Sequence, residues 1–334
     1  MATLSTQNPT LADVAKRLDP NGKIDKIVEL LNQTNGMLED ATFIEGNLPT
    51  GHRTSVRTGL PTPTWRKLYG GVQPTRSTTA QVTDNCGMLE AYAEVDKALA
   101  DLNGNTPAFR LSEDRAHVEG MNQEVARTLI YGNEGTDPAK FTGLAARYNS
   151  MSAGSGENII DAGGTGSDNT SIWLVTWGEN TIHAIYPKGS KAGLNQEDKG
   201  QVTIENVDGQ GGRMEGYRTH YKWDLGLTVR DWRYGARIAN IDVSALSDPA
   251  TAKDATMALI GMMIEASERI PNFGMGRAAW YVNRTVRTKL RLGILNKIAN
   301  NLSWETVAGK RVMMFDDIPV RRTDALLSTE ARIV

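Results

Sequence analysis

A chain of 334 residues is long enough to bury a full core, and 40% hydrophobic with 23% charged residues is the composition of a globular protein, not of a disordered or collagen-like chain. Its 37 Lys and Arg against 39 Asp and Glu leave a formal net charge of -2, which argues against a dedicated nucleic-acid binder with a basic face and leaves room only for a local basic patch. The single cysteine, Cys86, rules out an intrachain disulfide and a multi-cysteine zinc site, and suits a reducing cytoplasm.

Met1 to Pro9 is polar and lacks the basic start and apolar centre of a secretory signal, so no export is expected. Thr10, three residues before Asp13 and ahead of Leu11, Val14 and Leu18, predicts a capped amphipathic helix that breaks at Asp19-Pro20-Asn21-Gly22. A second helical pattern follows in Ile24, Ile27, Val28, Leu30, Leu31 and Leu38, with Gly36 near its end. Residues 1–38 therefore read as a helical arm.

From Gly46 to Thr83 the character changes to two prolines in Leu60-Pro61-Thr62-Pro63, a Gly70-Gly71 pair and many threonines without helical period, which predicts extended chain. This stretch holds Arg53, Arg57, Arg66, Lys67 and Arg76 and no Asp or Glu, whereas 84–101 carries Asp84, Glu90, Glu94, Asp96 and Asp101 against Lys97. That asymmetry is the most informative compositional feature of the chain. Leu89, Ala91, Ala93 and Val95 alternate with Glu90, Tyr92 and Glu94 and favour a strand, although the Ala-rich run to Leu102 also suits a helix.

Ser112 is expected to cap a long helix with Glu113 and Asp114 in its first turn, an apolar stripe of Val118, Met121, Val125 and Leu129, and a stop at Gly132. A Gly/Ser-rich loop over 152–171 precedes strand-like pieces at 172–177, 181–186, 202–207 and 217–231, so a mixed α+β region is expected. Ser247-Asp248-Pro249 opens a further helix, 250–270, whose middle is apolar nearly all round and reads as buried. Its most apolar run, Met257 to Ile264, is far short of the roughly 20 residues that cross a bilayer. A buried strand at 279–282, a helix at 284–300 and closing strands at 311–315 and 320–322 complete the chain.

Catalytic signatures are missing. No G-x-x-x-x-G-K-[S/T] phosphate cradle and no G-x-S-x-G nucleophile turn occurs. Gly163-Gly164-Thr165-Gly166 and Gly209-Gln210-Gly211-Gly212 lack dinucleotide spacing, and Gly274-Met275-Gly276-Arg277-Ala278-Ala279 lies between a helix and a strand in the reverse of the dinucleotide-binding order, so all three read as loops or turns. Cys86 has no basic sequence neighbour to activate it, and His52, His117, His183 and His220 show no H-E-x-x-H pair. No metal or cofactor is expected.

Two features carry more than one reading. Arg284, Arg287 and Arg291 share one helical face, either a solvated face or a basic stripe facing DNA phosphates or a neighbouring subunit. Trp65, in the basic run Thr62-Pro63-Thr64-Trp65-Arg66-Lys67, either packs on its own loop or anchors in a neighbour's groove.

The order of parts and the wording of Phe43-Ile44-Glu45-Gly46-Asn47-Leu48-Pro49-Thr50-Gly51-His52-Arg53, Thr58-Gly59-Leu60-Pro61, Gln81-Val82-Thr83-Asp84, Gly87-Met88-Leu89-Glu90-Ala91-Tyr92 and Tyr131-Gly132-Asn133 resemble the major capsid proteins of tailed double-stranded DNA bacteriophages. The resemblance covers nearly the whole chain. It implies the α+β Hong Kong 97-like fold, with an N-terminal arm over 1–38, an extended loop over 39–100, a peripheral domain over 101–139 built on a spine helix at about 107–132, an axial domain over 140–305 and C-terminal strands over 306–334 returning to the peripheral domain.

It further implies a structural shell protein with no enzymatic activity, made in the host cytoplasm. Its partners would be other copies in hexamers and pentamers, packaged DNA by non-specific contact and, in some members, a cement or decoration protein, a scaffold and a portal, with no membrane. In such a fold the extended loop lies over an adjacent subunit, so Arg53, Arg57, Arg66 and Lys67 would meet Glu113, Asp114, Glu119 or Glu124 of a neighbour's spine helix. No residues for the family's covalent cross-link carry over. Two other readings remain open at this point: a nanocompartment shell, which shares the fold but encloses proteins, and an α+β enzyme with its site within 152–232.

Overall fold

In the computed structural model of the protein, the described residues are 33–101, 106–205, 211–248, 251–295, 302–307 and 310–334. Both helices expected in the arm therefore lie mostly outside them, and the described part of that region is a short helix, Gly36–Asp40. In chain order the strands are β1 (Phe43–Glu45), β2 (Gly51–Gly59), β3 (Thr78–Asp96), β4 (Ile159–Asp161), β5 (Asn169–Trp177), β6 (Ile182–Tyr186), β7 (Asn195–Glu205), β8 (Arg213–Val229), β9 (Gly235–Asp242), β10 (Arg277–Val282), β11 (Leu302–Val307), β12 (Lys310–Phe315) and β13 (Ile318–Arg322). The longer helices are Thr106–Tyr131, Ala252–Glu268 and Arg284–Leu295. The architecture is mixed α+β.

The chain divides into two compact units. The larger comprises residues 34–87, 126–192 and 225–334. At its centre β5 pairs antiparallel with β9 on one side and β10 on the other, and β10 continues in parallel to β13. β5 is buried along its whole length, which is why Ile172-Trp173-Leu174-Val175 reads as an unbroken apolar run instead of alternating. The helix Ala252–Glu268 lays Leu259, Ile260, Met263 and Ala266 on this sheet, in one core with Ile172, Leu174, Ile238, Trp280, Val286 and Leu290. Met257 and Ile264 of that helix face outward, so the expectation of a helix buried all round is corrected: one side meets the sheet and the other does not.

The C-terminal segment after β13 has almost no regular structure and is nevertheless bonded throughout. Arg237 and Glu330, both nearly fully buried, pair at 2.7 Å; Arg237 also donates to Ser171 Oγ at 3.0 Å and to the Tyr148 carbonyl at 2.9 Å. Tyr131 donates its hydroxyl to Glu330 and accepts from the Leu327 N–H, while Asn240 holds Ile333 through both its N–H and its carbonyl. Burial, then Glu330, raises the Tyr131 phenol's pKa.

The smaller unit comprises residues 88–125, 193–224 and the chain up to Gln33, of which only Gln33 is described. β7 and the first part of β8 form an antiparallel pair from Asn195↔Lys222 to Glu205↔Arg213. The N-terminal part of the long helix lies here, and it begins at Thr106, six residues ahead of the expected Ser112 cap. Pro107, a residue suited to a first helical turn, lies ahead of Ser112, and these bounds agree with the spine helix at about 107–132 that the resemblance implies. Met121 and Val125 of the expected stripe are buried; Val118 is 38% exposed and belongs to the outer side. The same helix ends at Tyr131 in the larger unit, where Leu129 and Ile130 are fully buried. Gly132 and Gly143 sit so close to the Phe141 and Thr128 carbonyls there that a Cβ at either position would collide with backbone.

Candidate inter-subunit surfaces

The hairpin of β2 and β3 builds the first surface. Thr, Ser, Val and Arg at alternating positions suit an extended ladder, and the register runs from Gly51↔Asn85 to Arg57↔Thr79, with an irregularity at Arg57 to Gly59. The root is fixed in the body of the larger unit. Asp84 there is buried and pairs with Arg147 at 2.8 Å, while His52 sits edge-on to the fully buried His183 at 5.8 Å and accepts from Arg230.

Beyond Gly59 the chain from Leu60 to Ser77 forms no strand or helix, in keeping with its three prolines, Pro61, Pro63 and Pro74, and its paired glycines. Leu60, Trp65, Leu68 and Tyr69 are 77%, 101%, 84% and 98% exposed. Trp65 is therefore not packed on its own loop. Arg53 is held by Thr83 Oγ1 at 3.2 Å, and among the described residues Arg57, Arg66 and Lys67 form no ion pair. An exposed apolar cluster set among uncompensated cations is unusual on a chain that works alone.

The second surface is on the smaller unit. Two grooves flank the N-terminal part of the long helix: one of about 360 Å³ has Leu89, Glu90, Ala91, His117, Met121 and Glu124 in its lining, the other, of about 390 Å³, has Leu111, Asp114, Arg115, Val118, Glu119 and Tyr221. Glu124 thus edges one groove, Asp114 and Glu119 the other; Glu113 lines neither. Glu119 accepts from the Gln33 N–H and from Gln123 Nε2, while burial first and then the nearby Asp114 carboxylate raise the Tyr221 phenol's pKa. Glu90, absent from the sequence expectation, holds His220 at 3.1 Å and Lys222 at 3.6 Å, and Tyr92 stacks on His220 at 4.5 Å. The alternation from Leu89 to Val95 placed Glu90 on a strand, but nothing local revealed that this strand would edge a groove.

Arg284, Arg287 and Arg291 lie on the helix Arg284–Leu295 of the larger unit. Arg284 and Arg291 are exposed; Arg287 is half-buried and so does not belong to a simple solvated face. Arg291 lies over the ring of Trp304 at 5.3 Å. Among the described residues no three His, Cys, Asp or Glu side chains gather as a metal site requires.

The model of the family described as Major capsid protein GP7 matches residues 19–334. The chain belongs to this family. It is also 38% identical to a chain in the near-atomic cryo-EM structure of bacteriophage Epsilon15, over 100% of its own length and 99% of the other's, with a TM-score of 0.79. More remote likenesses are to the bacteriophage JBD30 capsid (11% identity, 89% and 92% of the two chains, TM-score 0.49) and to the holo-SrpI encapsulin complex from Synechococcus elongatus PCC 7942 (12%, 70% and 97%, TM-score 0.42), neither of which carries weight at that similarity. No curated protein matches the chain.

As a member of the major capsid protein family it is a structural shell protein of the virion capsid, with the Hong Kong 97-like α+β fold, and it assembles with copies of itself. Among the described residues no helix is long and apolar enough to cross a membrane.

Proposed function

We propose that copies of this chain close into the icosahedral head shell of a tailed bacteriophage, as hexamers and pentamers, by laying the loop between β2 and β3 across the long helix of a second copy. In that arrangement residues 39–100 act as the extended loop, 101–139 as the peripheral domain around the spine helix, 140–305 as the axial domain and 306–334 as the returning strands, following the arm of 1–38. The shell would enclose double-stranded DNA, be made in the host cytoplasm, act without catalysis, and meet portal, scaffold and cement proteins where the head requires them.

One observation carries this reading: Trp65, Leu68 and Tyr69 are displayed nearly in full beside Arg66 and Lys67, while the grooves along the long helix pair apolar floors with Glu90, Asp114, Glu119 and Glu124. The apolar parts would supply the adhesion, at about 25 cal/mol per Å² buried. Each exposed ion pair adds only about 0–1 kcal/mol, so the charges would set register and partner choice.

The test is charge reversal. Arg57→Glu with Arg66→Glu should cut the yield of closed particles at least tenfold while leaving the unassembled subunit's melting temperature within about a degree, since among the described residues these side chains form no ion pair. Glu119→Lys with Glu124→Lys, added to the same protein, should restore part of the yield. Unchanged assembly and particle stability in the first variant would overturn the proposal.

A further inference from the structure

The helix Arg284–Leu295 starts directly after β10, with the buried Asn283 side chain accepting from the Val286 N–H at 2.8 Å. Its cationic side is completed by β13: Arg321 and Arg322 follow the strand's buried Val320, and both helix and strand belong to the larger unit. The charges of Arg291, Arg322 and Arg321 all act on Arg287, and Arg284 stands one turn before it on the helix. Arg321 is neutralised by Asp40 at 3.1 Å and Arg322 by Asp324 at 2.7 Å.

Arg287 and Arg291 have no carboxylate partner among the described residues. The Nε of Arg287 is buried without a hydrogen-bond partner. Burial first, then the charges of Arg291, Arg322 and Arg321, hold its pKa below the ordinary arginine value, so like charges are being kept together at a cost. The Arg291 guanidinium lies over the ring of Trp304, itself 38% exposed, at 5.3 Å, a cation–π placement that a merely solvated arginine would not need.

We infer that Arg284, Arg287 and Arg291, backed by Arg321 and Arg322, form a binding row for the phosphate backbone of a nucleic acid. From Arg284 to Arg291 the helix rises about 10 Å, at 1.5 Å per residue. One strand of a duplex carries a charge about every 3.4 Å of axis, so the row spans about three phosphates. A single carboxylate would satisfy one guanidinium and leave the others repelling each other; a polyanion running along the helix relieves all of them. The contact reads charge and carries no sequence preference. It deepens the shell reading by naming which face would meet the packaged DNA, and rests on that reading for the identity of the polyanion.

Full-length subunit, kept unassembled at low concentration, is titrated into a fluorescein-labelled 20-base-pair duplex of random sequence, and anisotropy is followed between 50 and 200 mM NaCl. Arg287→Gln with Arg291→Gln should bind at least tenfold more weakly at 50 mM and lower the salt slope by about 2, near 0.9 for each phosphate no longer neutralised. Arg287→Lys with Arg291→Lys should stay within threefold of wild type. Arg57→Gln with Arg66→Gln removes equal charge from the loop and should stay within twofold. Should the half-buried Arg287 prove necessary for folding, Arg291→Gln alone, at an exposed position, should still weaken binding about threefold.

Equal losses in the loop and helix variants would reduce the effect to net charge and overturn the inference. So would unchanged DNA binding in the helix variants; if assembly fell at the same time, the row would face the carboxylates of a second copy. The readout is DNA binding by free subunits, whereas loop docking is read in particle yield, so either idea can fail without the other.

Discussion

Two segments of the larger unit lack regular structure over most of their length and have opposite fates. Residues 323–334 run under a roof of side chains, with Thr323, Leu326, Glu330 and Ile333 buried and with Glu330 bonded to Arg237, Ser171 and Tyr131. Residues 60–77 are exposed almost without interruption and place an indole, a phenol and three cations at open positions that no described residue covers. Irregular backbone is therefore not the same as idle backbone. The first segment has its partner in its own subunit, and the second has the composition of an interface without one, which is how a shell protein would divide its irregular chain between holding itself and holding its neighbour.

The sharpest way to test the first half of that contrast is Glu330→Ala. It leaves the Arg237 guanidinium buried and unpaired beside Trp173, a loss expected to cost the subunit about 3–5 kcal/mol. Urea unfolding of unassembled protein would measure it. Replacing both partners at once, Arg237→Met with Glu330→Leu, should cost less than the single change, because no charge is then stranded. If Glu330→Ala costs under about 1 kcal/mol, the C-terminal segment does not act as a clamp on the larger unit through the Arg237–Glu330 pair.

The next effect lies at the root of the hairpin, where the two regimes meet. His183 is fully buried, and burial first, then Arg230 and His52, bring its pKa down to about 4 against a smaller opposing pull from the Gly178 carbonyl. His52 is lowered as well, by burial and Arg230, against Asp84. The folded pKa values lie below the usual 6.5, so the unfolded chain binds more protons between about pH 6.5 and 4. Stability from this pair is complete above that window and is lost as pH falls through it. From pH 7 to pH 5 the loss should be about 2 kcal/mol for His183 alone. Carboxylates titrate nearby, so the discriminating measurement is the difference between pH 7 and pH 5 in wild type and in His183→Phe. A pH dependence that survives unchanged in the variant would assign it to other groups.

This contrast was only half legible in the sequence. The acid-free stretch, its prolines and its paired glycines announced an exposed loop, because turn chemistry and charge are local properties. The long helix was visible through its periodicity, and the bounds of about 107–132 that the resemblance implied lie close to Thr106–Tyr131, whereas Ser112, a plausible cap, lies inside the helix. Val118 and Met257 fit an apolar pattern yet face outward, since pattern records which residues share a face and not whether another element covers it. The clamp was illegible: Arg237 and Glu330 stand 93 residues apart, and each alone reads as an ordinary surface charge. β9, which carries Arg237 and Asn240, lacks the alternation that marks a strand because it is buried along nearly its whole length. The Arg284, Arg287 and Arg291 spacing was legible, but their completion by Arg321 and Arg322 depends on β10 pairing in parallel with β13.

The smallest expected effect on the subunit is the one that most isolates the loop. Trp65→Ala removes the largest apolar side chain of the loop from a site where it is 101% exposed, so no burial is lost within the chain and the unassembled subunit should change by less than about 0.5 kcal/mol. A buried tryptophan truncated in the same way would cost about 3–5 kcal/mol. Assembly should behave as though such a residue had been removed: if Trp65 fills a neighbour's groove, its loss is repeated at every loop contact of the shell, and the concentration needed for closed particles should rise at least tenfold by light scattering. Leu68→Ala, with less area to bury, should give a smaller rise in the same direction. Should Trp65→Ala assemble at the wild-type concentration, the aromatic tip is not an anchor between copies, and its exposure would need a partner other than a second copy of this chain.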